Sequence, residues 1–209
     1  MQTKQKKRAP YRETKRLKAH ERKQIILNAA KEVLIMEGYS SFSLRYVAEK
    51  SGIRLATLQY YYSSKEQLFR AAFEDALNQE RDRINGMVSR AGNSPEKVLK
   101  ARISGHFKAN INDETAGFFY QLWARAKLDK FAAELMDEFY ERNGKIVAEL
   151  IRNLNSSLSA YESKKRATFV MATLEGMMLI SDIDKRKKGK FVSSEKYVVN
   201  ALMKFATDP

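Results

Sequence analysis

The chain has 209 residues and no cysteine, and its 39 Lys and Arg against 25 Asp and Glu leave a formal net charge of +14. Disulfides, thiol chemistry and Cys-based metal sites are excluded, and with only His20 and His106 a His-rich metal site is excluded too. The charge is uneven: residues 1–65 hold 15 basic and 5 acidic side chains, which points to a polyanion or anionic surface as partner. No apolar segment follows the basic N-terminus in the manner of a secretory signal. The longest nearly apolar run, Phe169 to Ile180, contains Glu175 and is too short to span a bilayer. A cytoplasmic protein without membrane contact is the expectation.

Apolar residues recur mostly at helical spacing, period-2 alternation is scarce, and proline stands only at 10, 95 and 209. An all-α fold follows. Residues 1–19 are polar and basic with no apolar repeat and read as an arm. A first helix begins near His20, with Ile25, Ala29 and Val33 in one i,i+4 row and Ile26, Ala30 and Leu34 in the next. Gly38 stops it. A second helix, capped by Ser43, carries Leu44, Val47 and Ala48 inward and ends at Gly52. A third runs from Leu55 to Tyr61. A fourth starts near Ser64, whose spacing to Gln67 fits a capping box, and reaches about Met87. The stretch 91–95 is a break, and Pro95 suits the first turn of a helix to about Asn110. Further helices are expected at 115–128, 131–157, 160–183 and 194–206. The run 185–190 (KRKKGK) is strongly basic and reads as a solvated loop.

Residues 44–61 carry the strongest functional signal. Ala48 is small where two helices cross, Gly52 suits the tight turn, and Val47, Ile53 and Leu58 pin one helix on the other. The spacing reads as a helix-turn-helix. With Leu58 facing the core, residues two positions away are turned about 200° from it. Ala56 and Tyr60 therefore face outward, flanked by Thr57 and Gln59, with Leu55 at the helix start. Tyr61 lies at the core edge, its hydroxyl within reach of a phosphate. Lys65 places a cation in the first turn of a helix, against the macrodipole, which suggests an external anion. Arg45 invites the same reading. Arg54 precedes the third helix without the side-chain oxygen of a good cap, but adds a cation beside the groove.

The stretch 38–69 resembles the DNA-binding domain of the TetR family of bacterial transcriptional regulators. The resemblance rests on Gly38-Tyr39, Ser43, Ala48, Gly52-Ile53, Thr57-Leu58, Tyr60-Tyr61-Tyr62 and Ser64-Lys65-Glu66-Leu68, and covers roughly residues 20–75. Two departures stand out: Gln59 where the family often has Tyr, and Arg54 where it usually places a Ser or Thr cap. Gln can read adenine bidentately. The resemblance implies an arm (1–19), a helix-turn-helix DNA-binding domain (20–65) and a helical ligand-binding and dimerisation domain (66–209). It also implies a homodimer, double-stranded DNA as partner and an unidentified small-molecule effector. No cofactor or metal is expected.

In the larger domain the residue readings stay divided. His106, on an apolar stretch, is a core histidine or a ligand contact. Phe119, Tyr120 and Trp123, grouped with Phe118 at helical spacing, are core or pocket wall. Glu175 inside its apolar run needs a partner, solvent or a ligand cation, with Met178 beside it. The last two helices present Val170, Leu174, Met177, Val198, Ala201, Leu202 and Phe205 at the spacing of a dimer face, and Gly176 permits close approach. An enzyme finds no support: there is no nucleophile–base pair, Gly-rich phosphate loop or metal spacing. The competing class is a sequence-neutral architectural DNA-binding protein, which explains the charge but not the large apolar domain.

Overall fold

The computed structural model describes residues 19–186 and 195–208. Of the expected arm only Ala19 is among them, and of the basic run 185–190 only Lys185 and Arg186; the rest of both lies outside the described residues.

The regular structure of the described residues is all helical: α1 (Ala19–Ser41), α2 (Leu44–Ser51), α3 (Leu55–Tyr61), α4 (Lys65–Ala91), α5 (Pro95–Asn110), α6 (Asp113–Ala126), α7 (Lys130–Leu154), α8 (Ala160–Arg186) and α9 (Glu195–Thr207). None is long and apolar enough to cross a membrane.

Most boundaries have a visible local cause. Gly38, at φ 74° and ψ 176°, breaks α1 so that its last turn is redirected toward α2. Ser43 Oγ accepts the Tyr46 N–H at 3.2 Å. Ser64 Oγ accepts the Gln67 N–H at 3.1 Å, and Gln67 Oε1 reaches back to the N–H of Ser63 at 3.0 Å. The capping box therefore closes one residue earlier than the ordinary spacing. The differences from the sequence reading are equally local. α6 starts at Asp113 because Asn112 accepts the Thr115 N–H at 3.0 Å. α7 ends at Leu154 because the Asn155 side chain accepts the Ser157 N–H at 3.2 Å and turns the chain. α4 runs one turn beyond Met87, to Ala91.

Two apolar cores hold the helices. The first joins α1–α4 to α6 and the start of α7, through Ile26, Val33, Leu58, Phe73, Phe118 and Leu122. The second joins α5, α7, α8 and α9, through Leu99, Phe107, Ile151, Leu174 and Leu202. α6 packs directly on α1: a Cβ added at Gly117 would come within 3.1 Å of Ile35 Cγ2, so a larger residue there would push the helices apart. A nearly buried ion pair ties α1 to α4, with Lys31 Nζ 2.7 Å from Asp75 Oδ2 and 3.1 Å from Gln79 Oε1. The helix that leaves the α2–α3 unit is thus clamped to α1.

Candidate nucleic-acid interface and body cleft

The α2–α3 unit is a helix, a tight turn and a short helix. Gly52 takes the left-handed conformation (φ 66°, ψ 18°), which L side chains adopt at a cost. The Ile53 N–H then donates to the Ala48 carbonyl at 3.1 Å. Val47 and Leu58 are fully buried and set the pitch of α3 on α2. With Leu58 inward, Ala56, Gln59 and Tyr60 are exposed, Tyr60 to 84%. Leu55, Thr57 and Tyr61 are half-buried. The Tyr60 and Tyr61 rings meet edge to face at 5.3 Å, and Lys23 Nζ lies 5.9 Å from the Tyr61 centroid. Arg54 precedes α3 in extended conformation with no side-chain cap bond. Arg45 and Arg54 are exposed. Together these make a short outward face of adaptable polar and aromatic groups framed by cations, a surface able to enter a major groove.

Lys65 is less free than its position at the start of α4 suggests. Its ammonium donates to the Tyr39 carbonyl at 3.1 Å and lies 3.9 Å from the Tyr39 ring centroid. Partial burial, then the nearby Arg125 cation, hold its pKa below the ordinary lysine value. An ammonium has three donors, and the Tyr39 carbonyl uses one.

The body contains a cleft of about 330 Å³ between α4, α5 and α7. Its deepest side chains, Ile84, Arg102, His106 and Leu135, are buried, whereas Glu74, Arg81, Glu138 and Arg142 at its rim are exposed. Arg102 and His106 are one turn apart on α5 and face the same way. Arg102 Nε and His106 Nε2 are buried without a hydrogen-bond partner. Burial, with the Arg102 and Arg83 cations adding to it, lowers the His106 pKa to about 4, so its imidazole is neutral at neutral pH.

Residues 26–72 match the family model for bacterial regulatory proteins of the tetR family. The match covers the head, so residues 26–72 are similar to the DNA-binding segment of that family. The regulator BetI of Stenotrophomonas maltophilia is 21% identical over 76% of this chain and 80% of its own. Two curated Bacillus subtilis regulators match over only 59% and 51% of their own lengths. A transcriptional regulator structure from Pseudomonas aeruginosa superposes with a TM-score of 0.76 at 18% identity, covering 90% of this chain and 93% of that one. FadR from Bacillus subtilis, solved in complex with stearoyl-CoA, superposes with a TM-score of 0.71 at 17% identity, over 86% and 97% of the two chains.

The sequence-derived ligand candidates fall in different places. His106 lines the body cleft. Phe119 is buried in the first core, 5.4 Å from the Phe139 ring, and borders a separate cleft with Phe118. The other four gather where α6, α7 and α8 meet. The Tyr120 hydroxyl donates to the Met178 carbonyl at 3.2 Å, with the Met178 side chain buried. Trp123 Nε1 donates to the Tyr140 hydroxyl at 2.9 Å. Glu175 Oε2 is buried there without a hydrogen-bond partner, and burial raises the carboxyl's pKa to about 7. Sequence reasoning missed Arg102, Ile84 and Leu135 in the cleft; the i,i+4 spacing of Arg102 and His106 was the available signal.

The dimer-face candidates divide as well. Val170, Leu174, Val198 and Leu202 point into the chain's own second core and are 9% exposed or less. Within the single chain they expose little area. Met177 is half-buried, packed at the edge of that core. Ala201 and Phe205 are exposed, and nothing lies within 4 Å of a Cβ added at Gly176. Beside them Phe169, Leu179, Ile180 and Ile183 are exposed on α8, and the Phe169 and Phe205 rings meet at a tilt with centroids 4.4 Å apart. Hydrophobic spacing alone could not tell the inner stripe of α8 from the outer one, because both are apolar.

Proposed function

We propose that the chain is a ligand-responsive transcriptional regulator, a repressor, that binds a near-palindromic operator as a homodimer in the cytoplasm and is released by a small-molecule effector. The observation that carries this reading is the outward face of α3, with Gln59 and Tyr60 exposed on a helix that Leu58 fixes. Gln59, Tyr60, Thr57, Ala56 and Leu55 meet base edges. Arg45, Arg54, Tyr61 and Lys65 hold phosphates. The division into an arm (1–19), a reading head (20–65) and a sensing and dimerising body (66–209) belongs to the same proposal.

The dimer forms through the outer stripe of α8 and α9, where Phe169, Leu179, Ile183, Ala201 and Phe205 are exposed beside Gly176, apolar residues of the kind that mark association sites. Two-fold symmetry then sets two α3 helices in successive major grooves, about 34–36 Å apart. The lever is α4. Its first turn supports Tyr39 through Lys65, and its middle, at Leu77, Arg81 and Ile84, lines the body cleft. An effector that prefers one setting of α4 lowers DNA affinity by its differential binding free energy. A bound acyl-CoA in a structural neighbour of this fold supports a sensing body.

The test is DNA binding by the full chain, titrated with salt against excess competitor DNA. A strong preference for one duplex that persists as salt rises supports the reading. Equal affinity for every sequence contradicts it and leaves a sequence-neutral architectural binder.

A further inference from the structure

We infer that the α4–α5–α7 cleft takes an organic anion, a carboxylate with an apolar body, whose acid group is held by Arg102 and His106. The inference rests on the proposed sensing role of the body and adds the chemical class of its ligand.

The argument is one of charge and donors. Arg102 is only 8% exposed, yet its single polar contact is a long one, 3.4 Å from Nη2 to Asn85 Oδ1. No carboxylate among the described residues lies within ion-pair distance of it; burial alone accounts for the lowering of its pKa. A buried cation ordinarily has a counter-charge, because desolvation is otherwise uncompensated. One turn away His106 lines the same cleft, and its Nε2 is also buried and unpartnered. A guanidinium and an imidazole lining one cleft, each with an unused polar nitrogen, can together serve as a donor pair for a carboxylate that enters it.

The cleft's own carboxylates do not fill this role. Glu80 is engaged by Arg83 at 2.7 Å, and Arg83 also donates to the Gly105 carbonyl at 2.7 Å. Glu74 and Glu138 are exposed at the rim, which Arg81 and Arg142 also line. The floor beside Arg102 and His106 is apolar, formed by Ile84 and Leu135 with Phe139 and Ile146 above. A ligand matched to this space has one anionic end and a hydrocarbon body. A cationic ligand would bring its charge against Arg102.

The test uses the full chain and three acids, benzoate, hexanoate and octanoate, each beside the alcohol and the amine of the same skeleton. Affinity is read by calorimetry. The site is read by the imidazole NMR signals, which are separable because the chain has only two histidines, His20 and His106. At least one acid should bind about tenfold more tightly than its alcohol, shift the His106 signals and leave His20 unmoved. Arg102→Met, which keeps the apolar stem, should erase the preference for acid over alcohol, and Arg102→Lys should restore part of it. Thermal melts of both variants report whether the fold persists; if Arg102→Met does not fold, the His106 shift and the acid–amine comparison in the unaltered chain decide. Binding by none of the acids, equal binding of the amines, or no His106 response would overturn the inference. DNA release is measured separately. An acid that binds at His106 without releasing DNA leaves the cleft chemistry standing and sinks its effector role. Release by an amine alone does the reverse.

Discussion

The Arg125 guanidinium lies 4.2 Å from the centroid of the Tyr39 ring, a cation–π contact between α6 of the body and the end of α1 in the head. The opposing cation, Lys65 Nζ, is 3.9 Å from the same centroid, and Asp129 holds Arg125 at 2.8 Å. Tyr39 also packs edge-on against Phe69 at 4.9 Å. One ring thus joins the turn before α2, the first turns of α4 and the C-terminal end of α6. Arg125→Met should cost about 1 kcal/mol of stability and loosen the link between head and body. The check is a urea melt together with the effector-induced change in DNA affinity. An unchanged coupling ratio would show that this contact does not transmit the signal.

On the DNA side, Gln59 and Lys65 should separate base reading from phosphate binding. Gln59→Ala should relax preference at one position of each half-site, worth about 1–3 kcal/mol of discrimination. Lys65→Ala should weaken all sequences alike and flatten the salt slope by about one. It should also lower stability, since Lys65 is bonded to the Tyr39 carbonyl. Anisotropy titrations at several salt concentrations measure both. A uniform loss from both variants would refute the division.

The head was the most legible part of the chain, and the reason is physical. Gly38, Ser43, Gly52 and Ser64 are positions where the backbone needs a particular conformation or a side-chain oxygen, so single residues announce them. Leu58 then determines by helical geometry which neighbours face out. The body is harder to read. Its cleft is assembled from α4, α5 and α7, and Arg102 or Glu138 is an unremarkable charge in sequence. Lys31 is hidden for the same reason. It lies beside the apolar rows of α1 and reads as surface, yet it is 7% exposed and paired with Asp75.

That pair makes a stability prediction. Lys31→Met leaves the Asp75 carboxylate with only Gln24 and Gln79 as partners, and should cost about 3 kcal/mol. The double variant Lys31→Met/Asp75→Leu removes both charges and should recover much of that loss. Denaturant melts of the four proteins give the coupling energy. Simple additivity would mean that the ion pair contributes nothing of its own.

Glu175 makes a prediction about pH. Its carboxyl is raised by burial from 4.5 to about 7, with the polar groups of Asn110 and Tyr140 pulling it back only in part. The folded state therefore favours the protonated form. The associated stability is fully present below about pH 4.5 and is lost as pH rises through 7, an amount of about 3 kcal/mol. Glu175→Gln, which stays neutral, should be more stable than the parent at about pH 8, and the gap should close on acidification. His106 acts with opposite sign, losing stability as pH falls from 6.5 toward 4, but it is common to both proteins and cancels in their difference. Melting temperatures of the pair across this range are the check, and a gap that does not change with pH would place the carboxylate in contact with water.

The central claim is that α3 reads sequence as one half of a two-fold pair. Selection of bound duplexes from a random-sequence pool by the full chain tests it most directly. The expected result is enrichment of a near-palindrome with half-site centres about 10 base pairs apart or a multiple of that, and a changed base at the symmetric positions when Gln59→Ala is used. A pool that emerges unenriched, with retention set by salt alone, would contradict the account.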